Sequence, residues 1–205
     1  MRRALVALTV TACLVAGGWL TSPTVSAQAT AEPEEPPSQA LLDSLARVMA
    51  SPDGFVDAFD AQVWLLDMQS RLARRQPAGY PTRASRLALL ERIHGEAQRA
   101  QLPPELVLAV IDVESRFEPE AVSSAGAQGL MQVMPFWKEE IGRPQDDLRD
   151  PQVNLRYGCT ILAHYLKREH GDWTRALARY NGSLGRTRYP ERVMAAWFTR
   201  WWTER

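Results

Sequence analysis

Glu114 is the residue of this chain best placed to do chemistry. Val107, Val110, Ile111, Glu114 and Phe117 recur at i, i+3, i+4, i+7 spacing and so share one stripe of a helix. A carboxylate on the apolar side of a helix, one turn from its end, is desolvated when charged, which raises its pKa and keeps its proton near neutrality. A general acid needs that property. The same spacing accommodates a plainer arrangement, in which Glu114 lies at the edge of the stripe and pairs with an arginine such as Arg116.

The next segment, Ser123 to Pro135, opens with small residues around Gly126 and Gly129, which let the backbone approach another surface or a ligand closely. Gln132 offers both a donor and an acceptor for sugar hydroxyl or acetamido groups. Taken alone, the pattern reads as a tight loop before a buried helix, with Met131 and Met134 in the core. Other candidates are plainer. His94, His164 and His170 carry no ligand spacing, so no metal and no cofactor are expected. Trp197, Trp201 and Trp202, with Val193, Met194 and Phe198, form an aromatic stripe for core packing or docking onto the N-terminal helices, with sugar stacking or membrane contact as alternatives. Arg186, Arg188 and Arg192 read as a solvated face or a contact to an acidic glycan.

The elements that must position these residues are helical throughout, so the predicted fold is all-α. Helices are expected from about Thr82 to Ala100, from Pro103-Pro104 to about Arg116, from Asp150-Pro151 to His170 with Gly171 as its stop, from Asp172 through Tyr180, and from about Pro190-Glu191 into the tryptophan-rich tail. Upstream, Leu41, Leu42, Leu45, Val48 and Met49 mark one helix. Ser51-Pro52 starts a second, faced by Phe55, Val56, Phe59, Val63 and Leu66. The breaker cluster Pro77 to Pro81 places a domain boundary between a helical N-terminal segment at 39–76 and a domain at 81–205.

With 205 residues and 45% hydrophobic composition, the chain can bury a sizeable core. Its formal net charge is zero, but residues 30–80 carry four Arg against eight acidic residues, and residues 156–205 carry ten Lys/Arg against four. That basic C-terminal face suits an acidic polymer, either nucleic acid or peptidoglycan with its peptide stems. Arg2-Arg3, the apolar run Ala4 to Leu20 and the small residues up to Ala29 read as an export signal over 1–29, followed by a Pro/Glu-rich tether at 30–38. A retained membrane anchor, or a lipoprotein signal at Val10-Thr11-Ala12-Cys13, are the alternatives. Once the signal leaves, only Cys159 remains, so no intrachain disulfide is expected.

Taken together, the motifs resemble the soluble lytic transglycosylase (SLT) domain family, of goose-lysozyme-like fold. The matching pieces are Glu114-Ser115, then Ser123, Gly126-Ala127, Gly129-Leu130-Met131-Gln132 and Met134-Pro135. Asp150-Pro151 with Asn154 and Gly158, Ala178-Arg179-Tyr180-Asn181-Gly182, and Tyr189-Pro190 with Val193 follow in order. The resemblance covers roughly residues 84–198. It implies a lysozyme-like helical domain preceded by the short helical segment, with Glu114 as the catalytic glutamate and Ser123, Gln132 and Met134 lining a saccharide groove. It also implies that Tyr180 and Asn181 form the element whose tyrosine hydroxyl sits near the catalytic carboxyl. Arg179, where the family usually has alanine, and Gly182-Ser183, where Ala-Gly is commoner, leave the shape and charge of that loop open.

The implied reaction uses one carboxyl where glycoside cleavage ordinarily uses two. Glu114 would protonate the oxygen leaving C1 of N-acetylmuramic acid, then take the proton of the C6 hydroxyl as that oxygen closes on C1. The product is a 1,6-anhydro sugar; no water, metal or cofactor enters. Asp112, Glu118 and Glu120 have no matching role in the family. The expected partner is the peptidoglycan glycan strand, in the periplasm or cell envelope, with no stable membrane span after signal cleavage. Rival readings are a hydrolytic lysozyme of the same fold and a peptidoglycan-remodelling accessory protein of a secretion or conjugation system. The export signal and the Gly129–Gln132 run argue against a nucleic-acid binder.

Overall fold

The structure, a computed structural model, describes residues 55–203. Expectations for the export signal, the tether, the helix at 41–49 and the Ser51-Pro52 cap lie outside the described residues, as do the side chains of 55–59. Seven α-helices follow in order: α1 Phe55–Arg75, α2 Arg83–Arg99, α3 Pro104–Glu114, α4 Trp137–Ile141, α5 Pro151–Arg168, α6 Trp173–Tyr180 and α7 Arg188–Ala196. A π-helical turn, Trp197–Trp201, continues α7. Among the described residues only isolated bridges, Val122 with Gln128 and Gln128 with Val133, have strand character. The architecture is all-α.

Local chemistry sets the helix starts. Thr82 and Ser85 form a reciprocal capping box at α2, each side chain bonding the other's backbone N–H. Asp150 accepts from Val153 N at 2.9 Å and Asp172 from Arg175 N at 3.0 Å. Pro104 and Pro151 occupy first-turn positions, where the missing N–H costs nothing. At the C-terminal side of α5, His170 and Gly171 turn left-handed, with φ of 54° and 87°.

Helix α3 is the axis of the core. Every residue from Glu105 to Asp112 is buried, so the helix is enclosed on all sides. It packs against α2, α7 and the π-turn, while α5 packs against α2 and α6. The helix ends at Glu114, two residues short of the expected limit, because Arg116 and Phe117 adopt left-handed φ of 55° and 66°. That reversal turns Phe117 into the core, edge-on to the buried ring of Trp201 at 5.5 Å. Trp197 and Trp201 are buried, whereas Phe198 and Trp202 remain about half exposed, at 55% and 46%. The tryptophan stripe is therefore core on one side and surface on the other.

The breaker cluster at 77–81 lies inside one compact unit, Ser44–Arg205. Trp64, Met68 and Leu72 of α1 belong to the same hydrophobic cluster as α2 and α3. Trp64 Nε1 donates to Glu105 Oε1 at 2.9 Å, and Arg75 pairs with buried Asp112. At Gly79 the backbone runs so close to Pro119 that a Cβ would meet its Cδ at 2.6 Å. Burying three such side chains is worth about 5–9 kcal/mol, a large share of a domain's total stability. A chain beginning at Pro81 should therefore lose cooperative thermal unfolding or aggregate. Circular dichroism melting reads this; a midpoint within a few degrees of the full chain would show α1 to be dispensable.

Candidate active site

Glu114 closes α3 as its last residue and is half-buried. Its Oε1 accepts a hydrogen bond from the Tyr189 hydroxyl at 2.6 Å. Burial pushes its pKa up from the ordinary glutamate value to about 7, against the opposing pull of that hydrogen bond and of the Arg192 charge. Val107, Val110, Ile111 and Phe117 of the predicted stripe are all buried. The partner of Glu114 is thus a tyrosine on α7, and among the described residues Arg116 makes no ion pair with it. Tyr189 is itself buried, and burial followed by the nearby Glu114 charge holds its phenol well above the ordinary range. It donates its proton to Glu114 as a neutral phenol.

The segment after α3 is shaped by side chains from three other places. Buried Asn154 on α5 spends its whole amide there: Oδ1 accepts from Met131 N at 2.7 Å, and Nδ2 donates to Gln128 O and Leu148 O at 2.8 and 2.7 Å. Ser115 Oγ donates to Leu130 O, and Tyr180 Oη to Met131 O, both at 2.7 Å. Gly129 has φ of +73°, and a Cβ there would sit 2.4 Å from Asn154 Nδ2. Gly158 is equally constrained, since its Cβ would meet Met131 Sδ at 2.4 Å. These contacts account physically for the glycines and the asparagine in the motif.

They also overturn the buried helix expected after the loop. Residues 130–135 are not helical, and α4 begins at Trp137 with no buried residue. Instead of a helical ladder, Leu130 and Met131 bond the side chains of Asn154, Ser115 and Tyr180, Gln132 and Val133 bond the backbone of Gly129 and Gln128, and Gln132 is left-handed at φ 50°. Met131 is in the core as expected; Met134 is only half-buried.

The remaining predicted site residues fall as follows. Ser123 Oγ accepts from Ala127 N at 3.0 Å, and so folds the loop on itself. Gln132 Nε2 donates to Ala121 O and Gly129 O, so its donor side holds the loop's shape. Tyr180 is near enough to Glu114 for that carboxyl's charge to act on it, after burial, in holding its phenol well above the ordinary range, and its hydroxyl bonds Met131 O. The hydroxyl that hydrogen-bonds the Glu114 carboxyl belongs to Tyr189, a residue the expectation did not include. Asn181 is exposed at the end of α6. Arg179 pairs with Glu169 together with Arg175, which commits its charge to that buried carboxylate. The loop beyond turns at Gly182, with φ of 69°, and returns through Ser183 N to Ala178 O at 2.7 Å.

Sequence reasoning gave no role to Tyr189, Arg192 or Asn154 at this centre. Tyr189-Pro190 entered only as a piece of the family resemblance, since nothing local signals a bond to a residue 75 positions earlier. Cys159 is fully buried, with its thiol pushed up to about 12 by burial, and so has no reactive thiolate.

The transglycosylase SLT domain model matches residues 91–195, and the chain belongs to this family. Among curated relatives, a transglycosylase of Enterobacteria phage PRD1 is 33% identical over 111 residues, covering 51% of this chain and 41% of that protein. Membrane-bound lytic murein transglycosylase D of Escherichia coli (strain K12) is 35% identical over 98 residues, 46% of this chain and 22% of the relative. Membrane-bound lytic murein transglycosylase C of Actinobacillus pleuropneumoniae serotype 5b (strain L20) is 54% identical over 76 residues, 33% of this chain and 21% of the relative. A solved structure of an inactive mutant of lytic transglycosylase Slt from Pseudomonas aeruginosa is 31% identical, covering 48% of this chain and 17% of that one, with a TM-score of 0.43. The chain thus spans less than half the length of these relatives.

The electrostatics give a pH dependence with a definite sign. Chemistry that needs protonated Glu114 should decline as pH rises through about 7. The Tyr189 hydrogen bond favours the carboxylate, so Tyr189→Phe should raise the Glu114 pKa further and move this alkaline limb to higher pH. The pH profile of kcat/KM for the variant and the parent reads the shift. A limb that stays in place or moves to lower pH would show that Tyr189 does not control this carboxyl.

Proposed function

We propose that this protein is a peptidoglycan lytic transglycosylase that cleaves the β-1,4 bond between N-acetylmuramic acid and N-acetylglucosamine without water. The observation that carries the reading is the single half-buried carboxyl of Glu114, raised to about 7 and held by Tyr189. At neutral pH such a group exists in both forms, as a residue acting first as acid and then as base must. The carboxylates close to it in sequence are engaged elsewhere. Asp112 is enclosed by Arg75 and Arg200, Glu118 accepts from Glu120 N, and Glu120 pairs with Arg149.

In this mechanism Glu114 protonates the glycosidic oxygen as the bond to C1 breaks, and the substrate's acetamido group stabilises the cationic carbon. The resulting carboxylate then accepts the C6 hydroxyl proton while that oxygen closes on C1, which leaves Glu114 protonated for the next turnover. Tyr189 keeps the carboxyl oriented through both steps. Ser123, Gln132 and Met134 line the saccharide groove, with the Gln132 Oε1 facing the sugar because its amide nitrogen is committed to the loop. Asn181 contributes an exposed amide, and Tyr180 fixes the loop through Met131 O. Murein named in the relatives' descriptions supports the substrate class and a site of action in the cell envelope. Export by the 1–29 signal and a tether at 30–38 complete this reading. No helix among the described residues is long and apolar enough to cross a membrane.

Digestion of purified sacculi should release muropeptides ending in 1,6-anhydro-N-acetylmuramic acid. An intramolecular hydroxyl held near C1 competes with water at an effective concentration of up to about 10⁵ M or more. Mass spectrometry separates this product from the hydrolytic one by one water. Predominantly reducing ends that take up ¹⁸O from labelled water would make the protein a lysozyme. Glu114→Gln should abolish release with an unchanged circular dichroism spectrum, since general acid–base help is worth about 10²–10⁴-fold; residual turnover above about 10% would remove Glu114 from its role.

A further inference from the structure

A cavity of about 640 Å³ at the C-terminal end of α3, walled by Val113, holds four guanidiniums, from Arg75, Arg116, Arg192 and Arg200, around one carboxylate, that of Asp112. Asp112 is withdrawn from solvent and fully occupied: Oδ1 accepts from Arg75 Nε at 3.0 Å and Nη2 at 2.5 Å, and Oδ2 from Arg200 Nη1 at 2.9 Å. This buried anion holds Arg75 by two N–H groups and Arg200 by one, and among the described residues their other guanidinium N–H groups have no hydrogen-bond partner. Arg116 and Arg192 form no ion pair among the described residues. Like charges gathered in a concave site repel one another, and an incoming anion relieves that repulsion. Planar forks held in place suit carboxylates, which they bind in bidentate fashion.

The location narrows the ligand. Val113 in the cavity wall immediately precedes Glu114, and Arg192 lies one helical turn beyond Tyr189 on α7. The Arg192 charge reaches the Glu114 carboxyl. A sugar ring seated at Glu114 therefore has this basic cavity next to it. N-acetylated glycan is neutral in its chain, and its anions sit on the substituent of muramic acid: the free lactyl carboxylate in bare strands, or the peptide carboxylates where a stem is attached. A cavity of this volume is in the range that holds a drug-sized ligand, larger than a single lactyl group requires.

We propose that this arginine cavity is the subsite for the carboxylates of the peptide stem attached to the muramic acid being cleaved. The proposal rests on the peptidoglycan reading of Glu114, and adds that the enzyme recognises stem-bearing glycan through α1, α3, α7 and the π-turn together.

The test uses the full chain, titrated by calorimetry at low salt with the tetrapeptide L-Ala-γ-D-Glu-meso-diaminopimelate-D-Ala. The same tetrapeptide with its carboxylates amidated and free N-acetylmuramic acid are the comparisons. The tetrapeptide should bind, the amidated form should bind at least about 10-fold more weakly, and Arg116→Gln should weaken the tetrapeptide by about 10-fold, as loss of a charge-assisted hydrogen bond implies. Arg192→Gln, on a different helix, should weaken it likewise. Equal binding of charged and amidated peptides, no binding of the tetrapeptide, tighter binding of N-acetylmuramic acid, or indifference to both substitutions would overturn the proposal. Sacculus digestion by the same preparation separates the two levels. Anhydro products without peptide binding sink the cavity and leave the lytic function; peptide binding without cleavage upholds the cavity and sinks the lytic reading.

Discussion

The hydrogen bond from Tyr189 to Glu114 joins the end of α3 to the start of α7 across 75 residues of chain. It exists because α3 carries a carboxyl at the point where an otherwise enclosed helix reaches the surface. Burial resists ionisation there, while the tyrosine and the charge of Arg192 draw the group back toward the carboxylate. The balance leaves the carboxyl near neutrality. Packing around it serves that balance: Phe117 is folded back under the helix end onto Trp201, and Val107, Val110 and Ile111 close the sides.

A second constraint fixes the loop that follows α3. The loop from Ala121 to Met134 has little regular structure, so each backbone group needs a designated partner. Asn154 supplies two bonds from within α5, Ser115 one from beside Glu114, and Tyr180 one from α6. Gly129 and Gly158 are glycines because Asn154 and Met131 occupy the space where their Cβ atoms would be. The outcome is a loop whose shape is fixed by side chains from α5, α6 and the end of α3, the preorganisation that the proposed sugar site would use.

Much of this was legible in the amino-acid sequence, and the boundary between what was and was not is physical. Helix starts at Thr82, Pro104, Asp150 and Asp172 could be read because caps act within three residues. The position of Glu114 could be read because a 3.6-residue period reports one face of a helix. Tyr189 could not be paired with it, nor Asn154 with Met131, since those contacts depend on how helices pack. The run 130–135 read as helix from its apolar character, but tertiary hydrogen bonds claimed its backbone. Breakers at 77–81 end helices without parting cores: Trp64, Met68 and Leu72 lie across them in the cluster that α2 and α3 share. The arginine cavity was invisible for the same reason, as its four cations come from separate elements.

The account stands or falls on the protonation of one carboxyl. Carbon-13 NMR of protein labelled at the glutamate side-chain carboxyls, with Glu114→Gln to assign the resonance, would titrate it directly. The structure predicts a midpoint near 7 for Glu114. A midpoint between about 4 and 5, where unperturbed glutamates titrate, would contradict it, because burial would then not be holding the proton that the reaction needs.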